Sequence, residues 1–297
     1  MRKGSTIGIV APAGPLKNST LKEISDALNR LGFKVVFSNS CYSSYKGYLS
    51  ARDYDRAKDI EQMFLNDNVD CILCLRGGYG TMRILDKIDY SIVMNNPKPF
   101  IGFSDITALH IAFKQKANLD TYHGIMAHTS ATWDDFSLKS LIDAINFEED
   151  LYLKNPNDIP FKTLFNGICE GELVGGNLAL IASTLGTEYE IDTKGKILFL
   201  EDIGESIYRL DRMFTQLLLA GKFNDCVGII LGDFADCEKS SEEDFSLLEL
   251  FQDRLEKLNK PCLFNIQSGH CTPMITLPLG KICVLDATNK TIKIKQP

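Results

Sequence analysis

Short apolar segments alternate with helix-like segments along the first half of the chain. The apolar runs typical of buried strands are Ser5–Ala11, Phe33–Ser38, Asp70–Leu75 and Pro99–Phe103. Two capping boxes predict helix starts between them: Thr20 with Glu23, and Ser50 with Asp53. Parallel strands need long crossover connections, which helices usually supply. The alternation therefore predicts an α/β fold with a doubly wound, mostly parallel sheet.

The character of the sequence changes near residue 150. The segment Glu148–Asp158 is charged and interrupted by Asn and Pro, which is typical of a connection between domains. We therefore expect an N-terminal domain over residues 1–150, a linker over 151–164 and a smaller C-terminal α/β domain over 165–297. In the second domain the patterns predict strands at Lys196–Leu200, Val227–Leu231 and Cys283–Leu285, a helix at Ser206–Ala220 and a hairpin turning at Ala287–Lys290.

Composition excludes some classes of partner. The net charge of −7 argues against nucleic acid or an anionic membrane as the main partner, because both attract basic surfaces. No apolar run reaches 18 residues, so no membrane-spanning helix is expected. The nine cysteines lie mostly in apolar runs, and the Cys71–Cys74 pair lacks the second pair that a zinc site needs. Reduced core cysteines, no metal site and a cytoplasmic location are the expectation.

Ser104 stands where a predicted strand meets a predicted helix, in KPFIGFSDITALHIAF. In open parallel sheets, ligands bind at the carboxyl ends of the strands. The first N–H groups of the helix over Asp105–Lys116 could stabilise an oxyanion beside the hydroxyl. Ser104 is thus either a nucleophile or simply the N-cap of that helix, a role that serine often takes. The GxSxG elbow of α/β-hydrolases matches poorly, because Ile106 replaces its second glycine.

A glycine-rich turn, Arg76–Gly80, follows the strand Asp70–Leu75. Glycines let the backbone approach a ligand closely. The turn matches neither GxGxxG nor GxxxxGK[ST], so the indication of a nucleotide site is weak. Three interpretations stay open: a turn without chemistry, a phosphate-binding loop, or a backbone N–H from Gly77 or Gly78 directed at the same oxyanion as Ser104.

A nucleophilic serine needs a general base, and histidine suits neutral pH. His110 falls inside a predicted helix, whereas His123 and His128 fall in a possible loop near the sheet edge. His270 lies in QSGHCTPMITLPLG, with glycine before it and proline after it. A histidine in such a loop is the best functional candidate, because loops on rigid scaffolds often carry function.

A carboxylate should orient the base. Glu201 is the first acid after the strand Lys196–Leu200, and Asp202 and Glu205 follow it. All three could instead be a solvated acidic cluster before a helix. Spacing in the sequence does not choose among them.

Six ordered motifs resemble the LD-carboxypeptidase family of serine peptidases, which includes the muramoyltetrapeptide carboxypeptidases. They are VAPAGP, LRGGYGTMRILDKIDY, KPFIGFSDITALH, GGNLALIASTLGT, LFLEDIGESIYRLDR and SGHCTPMITLPLG, and they span almost the whole chain. The resemblance implies a triad of Ser104 as nucleophile, Glu201 as orienting acid and His270 as base. It also implies an oxyanion hole from the backbone N–H groups of Gly78 and Asp105, an N-terminal domain resembling class I glutamine amidotransferases with a flavodoxin-like sheet, and a homodimer.

The implied function is a cofactor-free serine carboxypeptidase of peptidoglycan recycling, which removes the terminal D-alanine of murein tetrapeptides. A carboxypeptidase must also bind a free carboxylate, for which Arg76, Arg209 and Arg212 are the candidates. Some relatives instead give immunity to peptidyl-nucleotide antibiotics, and Trp133 could then stack on the base. From another class, the glycine loops could make a non-catalytic nucleotide- or ligand-binding protein.

Overall fold

The computed structural model of the chain describes residues 1–18, 20–239 and 241–296. They form two compact units. The first comprises Met1–Asn146 with Thr276–Pro278, and the second comprises Phe147–Ile275 with Leu279–Pro297. The predicted linker over 151–164 is not a linker, because strands occupy both ends of this range within the second unit. Exposed edge strands tolerate polar residues, so their sequence resembles a connection.

The first unit contains a parallel sheet. Its strands are β1 (Thr6–Val10), β2 (Lys34–Phe37), β3 (Cys71–Cys74), β4 (Phe100–Gly102) and β5 (Thr121–His123). Its helices are α1 (Leu21–Arg30), α2 (Asp53–Leu65), α3 (Tyr90–Asn95), α4 (Thr107–Ala117) and α5 (Asp135–Asn146). The strands pair in the order β2-β1-β3-β4-β5, all in parallel. The chain adds β2 on one side of β1 and then adds β3, β4 and β5 in turn on the other side. This change of direction confirms the predicted doubly wound sheet.

One of the two predicted capping boxes is present. The Glu23 backbone N–H donates to Thr20 Oγ1 (3.2 Å), and the Thr20 N–H donates to Glu23 Oε2 (2.7 Å). The box predicted at Ser50 and Asp53 is wrong. The Ser50 hydroxyl is buried and donates to the Ala11 carbonyl at 2.5 Å, so it is not available to cap α2.

The second unit contains a mixed sheet. Its strands are β6 (Leu151–Leu153), β7 (Lys162–Phe165), β8 (Ile168–Asn177), β9 (Ile197–Ile203), β10 (Gly228–Ala235), β11 (Cys262–Phe264), β13 (Ile282–Asp286) and β14 (Thr291–Ile294). The strand between β11 and β13 in the sequence, β12 (Leu277–Leu279), belongs to the first sheet, where it pairs with β5. Its helices are α6 (Leu178–Thr184), α7 (Ile207–Leu219), α8 (Lys222–Asp225) and α9 (Leu247–Leu255).

The order of this sheet is β6-β14-β13-β8-β9-β10-β11-β7. The central strands β8 to β11 are parallel, and antiparallel strands flank them. The predicted terminal hairpin is confirmed as β13 and β14, with Cys283 opposite Ile294. The parallel centre brings the carboxyl ends of β9 and β10 to one edge of the sheet.

Most of the cysteines are core residues, and only Cys169 and Cys271 among the nine are partly exposed. All nine lie within the described part of the chain, and each is a free thiol. Cys71 and Cys74 are buried in β3, and burial raises the pKa of Cys71 to about 12. A thiol so reluctant to ionise is a poor metal ligand or redox group. No helix among the described residues is long and apolar enough to cross a membrane.

Candidate active site

Ser104 occupies a strained turn at the carboxyl end of β4. Its φ is +65°, a left-handed conformation that is unfavourable for a residue with a side chain. A single 3₁₀ turn, Ser104–Ile106, leads from it into α4. The N-cap positions of the turn and of α4 are Phe103 and Ile106, and neither has a side-chain cap. The N-cap interpretation of Ser104 is therefore wrong, and the strain is of the kind found at exposed nucleophiles.

Gly77 provides the space that this turn needs. A methyl group on Gly77 would lie 3.1 Å from Ser104 Cβ and 3.2 Å from Ser104 Oγ. In the GxSxG elbow the second glycine relieves crowding from within the turn itself. Here Gly77, from the loop after β3, leaves room for the Ser104 side chain, and Gly102 leaves room for Ile106, whose Cγ atoms would lie 3.0 Å from a methyl group on Gly102.

Hydrogen bonds join the glycine loop to the Ser104 turn. The Thr81 N–H donates to Asp105 Oδ2 (2.9 Å), and the Thr81 hydroxyl donates to the Asp105 carbonyl (2.5 Å). Burial raises the pKa of Asp105, while the N–H groups of Thr81 and Gly80 favour its charged form. Gly78, with φ +115°, lies in the loop that these bonds hold in place. The two predicted oxyanion donors, Gly78 and Asp105, thus belong to one connected structure.

The buried side chain of Arg56 is hydrogen-bonded to the same loop. The Arg56 guanidinium donates to the carbonyls of Gly80 (2.9 Å), Ala51 (3.2 Å) and Pro12, and it pairs with Asp53 at 2.6 Å. Arg56 was not recognised from the sequence, because an arginine in an amphipathic helix usually faces solvent. Only the packing of α2 shows that this one faces inward.

In the second unit, Glu201 and His270 form a hydrogen-bonded pair. His270 Nδ1 lies 2.8 Å from Glu201 Oε2, and Glu201 is fully buried. Glu201 belongs to β9, which continues to Ile203 instead of ending at Leu200 as predicted. Glu205 lies beyond the strand and faces Arg209 at 3.7 Å. The sequence spacing did not choose among Glu201, Asp202 and Glu205 as the acid that orients the base. In the structure, Glu201 is the one that is hydrogen-bonded to the imidazole.

Burial and charge oppose each other at this pair. Burial raises the pKa of Glu201, although the hydrogen bond and charge of His270 favour the carboxylate. Burial lowers the pKa of His270, but Glu201, Asp202 and Asp233 outweigh it, so this pKa is raised above 6.5. Asp233 was not recognised from the sequence. With Nδ1 bonded to Glu201, Nε2 is the nitrogen that can accept a proton from a nucleophile.

Gly269 explains the glycine of the SGH motif. Its φ is +134°, and a methyl group there would lie 2.9 Å from Glu201 Oε2 and 3.3 Å from Asp233 Cβ. Any other residue before His270 would displace the carboxylate. The loop therefore needs glycine in order to present the imidazole to β9.

The remaining histidines differ in environment. His110 is buried in α4, Nε2 lies 2.9 Å from the Gly102 carbonyl, and burial lowers the pKa to about 4. His123 is buried in β5. His128 is half-buried after β5, where burial and then the charge of Arg76 lower the pKa. A neutral, packed role therefore suits His110.

The three candidate arginines also differ. Arg209 and Arg212 are exposed on α7. Arg76 is half-buried in the glycine loop, where Nη1 donates to the Pro15 carbonyl at 3.0 Å. The indole N–H of Trp133, the aromatic candidate, lies 3.3 Å from both the Met126 carbonyl and Thr129 Oγ1.

Two family models match most of this chain. The model of the LD-carboxypeptidase N-terminal domain matches residues 7–124, and that of the LD-carboxypeptidase C-terminal domain matches residues 170–285. The chain belongs to the LD-carboxypeptidase family, and it is a serine carboxypeptidase by class.

Individual relatives extend this assignment. The chain is 39% identical to the "Probable murein peptide carboxypeptidase" of Bacillus subtilis (strain 168), over 99% of this chain and 93% of the relative. It is similar to the crystal structure of muramoyltetrapeptide carboxypeptidase from Oxalobacter formigenes, with a TM-score of 0.85 and 27% identity over 98% of both chains. It is also similar to the structure of MccF in complex with glutamyl sulfamoyl guanosine, with a TM-score of 0.91 and 25% identity over 100% of this chain and 97% of the other.

Proposed function

We propose that this protein is a serine LD-carboxypeptidase that removes the terminal D-alanine from murein tetrapeptides, in peptidoglycan recycling. The hydrolysed bond joins the L-centre of the diamino acid to D-alanine. The observation that carries the proposal is the strained Ser104 turn at the end of β4, in a chain that also pairs His270 with Glu201 at 2.8 Å. The similarity to murein peptide and muramoyltetrapeptide carboxypeptidases supports the substrate class.

In the proposed reaction, Ser104 Oγ attacks the scissile carbonyl carbon while His270 Nε2 accepts the hydroxyl proton. Glu201 keeps the proton on Nδ1 and stabilises the imidazolium. The N–H groups of Gly78 and Asp105 stabilise the oxyanion. His270 then gives the proton to the nitrogen of D-alanine, which leaves. Water, deprotonated by His270, finally hydrolyses the acyl-enzyme and restores Ser104.

The proposal includes a reducing compartment and a dimer. The free and mostly buried thiols support a cytoplasmic location, because such cysteines persist where disulfides do not form. The homodimer follows from the family resemblance, and light scattering of the purified protein would test it. A mass equal to one chain at micromolar concentration would exclude the dimer.

One incubation tests the activity. The protein is mixed with L-Ala-γ-D-Glu-X-D-Ala, where X is diaminopimelate or lysine, and mass spectrometry follows release of D-alanine. Release by the wild type, with loss of about 10⁴-fold or more in Ser104→Ala and in His270→Ala, is the expected result. Turnover that survives in Ser104→Ala would exclude this nucleophile.

A second function is favoured by the similarity to MccF, solved with glutamyl sulfamoyl guanosine. The protein would then hydrolyse peptidyl-nucleotide antibiotics, with Trp133 as the candidate stacking surface. Comparing kcat/KM for a murein tetrapeptide and for a peptidyl adenylate separates the two functions. A non-catalytic ligand-binding role predicts nucleotide binding without fluorophosphonate labelling, whereas a serine hydrolase is labelled at Ser104.

A further inference from the structure

Arg76 places a guanidinium beside the predicted oxyanion loop. A methyl group on Gly78 would lie 3.8 Å from Arg76 Nη2, and one on Gly14 would lie 3.8 Å from Arg76 Cζ. Gly77 lies between Arg76 and Gly78, and a methyl group on Gly77 would lie 3.2 Å from Ser104 Oγ. The guanidinium is therefore close to the turn that carries the nucleophile, within the first unit.

The charge of Arg76 has no acidic partner in the part of the chain that the structure describes. Its described hydrogen bond goes to a neutral group, the Pro15 carbonyl. Its Nε is buried and donates to no described acceptor. Arg56 is different, because it pairs with Asp53 at 2.6 Å. A half-buried guanidinium without a carboxylate is costly unless a ligand supplies the negative charge.

Arg76 also lines a cavity. Its lining residues are Leu16, Lys17, Asn18, Arg76, His128 and Thr129. None of them is acidic, and Lys17 adds a second cation. Asn18 and Thr129 supply neutral hydrogen-bonding groups around the same space. The cavity thus has the charge and the donors that a small carboxylate requires.

We propose that Arg76 and this cavity bind the C-terminal carboxylate of the peptide substrate. This inference rests on the proposed function, since a carboxypeptidase acts one residue from a free carboxylate. In a peptide ending in D-alanine, three bonds separate the scissile carbonyl carbon from the terminal carboxyl carbon. An anion site beside Gly78 suits that short separation. The planar guanidinium binds such a group in a bidentate manner.

Turnover of two substrates tests the proposal. The tetrapeptide with a free D-alanine carboxylate is compared with the same peptide ending in D-alaninamide, for the wild type, Arg76→Gln and the control Arg2→Gln, which changes an exposed arginine at the opposite end of β1. We expect Arg76→Gln to lower kcat/KM for the free acid by on the order of 10²-fold or more, and to change kcat/KM for the amide little. Equal losses on both substrates would overturn the assignment, because Arg76 would then act on the loop or on another carboxylate.

Two readouts separate this inference from the proposed function. Fluorophosphonate labelling of Ser104 needs no carboxylate, so unchanged labelling in Arg76→Gln shows that the loop is intact. Calorimetry measures binding of both peptides to Ser104→Ala and to Ser104→Ala with Arg76→Gln, without turnover. Tighter binding of the free acid that disappears with Arg76→Gln supports the anion site even if the wild type releases no D-alanine. Equal binding of acid and amide, or no binding of either, overturns it.

Discussion

His270 Nδ1 and Glu201 Oε2 lie 2.8 Å apart, and the carboxylate is fully buried in β9. A buried carboxylate bonded to one imidazole nitrogen selects the tautomer whose other nitrogen accepts protons. We predict that Glu201→Gln lowers kcat by on the order of 10⁴-fold, because an amide can hold the wrong tautomer and provides no charge for the imidazolium. Steady-state release of D-alanine measures this loss.

The matched control for that variant is Glu205→Gln. Glu205 lies four residues further on and faces Arg209 instead of His270. Its kcat should stay near the wild-type value. A loss in Glu205→Gln equal to that in Glu201→Gln would contradict the assignment of the orienting acid.

The pH profile should report the environment of His270. Its pKa is raised above 6.5, burial being outweighed by Glu201, Asp202 and Asp233. Below that pKa the imidazolium cannot accept a proton, so log kcat/KM should fall with decreasing pH along a limb whose midpoint lies above 6.5. Asp233→Asn removes one of the negative charges and should move the limb to lower pH. A wild-type midpoint below 6.5, or a shift to higher pH in Asp233→Asn, would contradict this account.

Gly77→Ala should impair the nucleophile without unfolding the protein. The added methyl would lie 3.2 Å from Ser104 Oγ, which is tighter than ordinary contact, so it displaces the hydroxyl. We expect the rate of fluorophosphonate labelling to fall by on the order of 10²-fold, because small displacements of a reacting group are costly.

Gly47→Ala serves as its control. Gly47 has φ +80°, with nothing within 4 Å of an added methyl. This change should cost about 1 kcal/mol of stability through backbone strain and leave labelling intact. Equal labelling of Gly77→Ala and the wild type would show that Gly77 does not restrict Ser104.

Arg56→Met should destabilise the first unit. It removes donors from the carbonyls of Gly80, Ala51 and Pro12, while Asp53 keeps its ion pair with Arg83. Each buried carbonyl that loses its donor typically costs about 1–3 kcal/mol. Thermal unfolding followed by circular dichroism should therefore show a clearly lower Tm.

Arg83→Met is the comparison, since Arg83 pairs with the same Asp53 at 2.9 Å from an exposed position. Exposed ion pairs contribute little, so its Tm should stay close to that of the wild type. Similar Tm losses in the two variants would mean that the burial of Arg56 is not what matters.

Local patterns in the sequence already predicted much of this protein. Neighbouring residues alone determine the periodic apolar runs and the Thr20–Glu23 capping box. The alternation of strands and helices that these patterns predict led to the parallel sheet of the first unit. The position of Ser104 between a strand and a helix, and of His270 in a glycine loop, was enough to nominate both. Their joint catalytic role stays a prediction for the experiments above.

Tertiary packing decided the rest. Pairing with β10 extends β9 to Ile203, which buries Glu201 beside His270 and leaves Glu205 with Arg209. Packing also turned Arg56 inward, and it left Arg76 in a cavity without an acidic neighbour among the described residues. The sequence did not predict strands β6 and β7, because the strands that pair with them lie more than 90 residues away along the chain. Periodicity records which face of an element is apolar, but not which distant charge or strand that element will meet, because such meetings depend on how the whole chain packs.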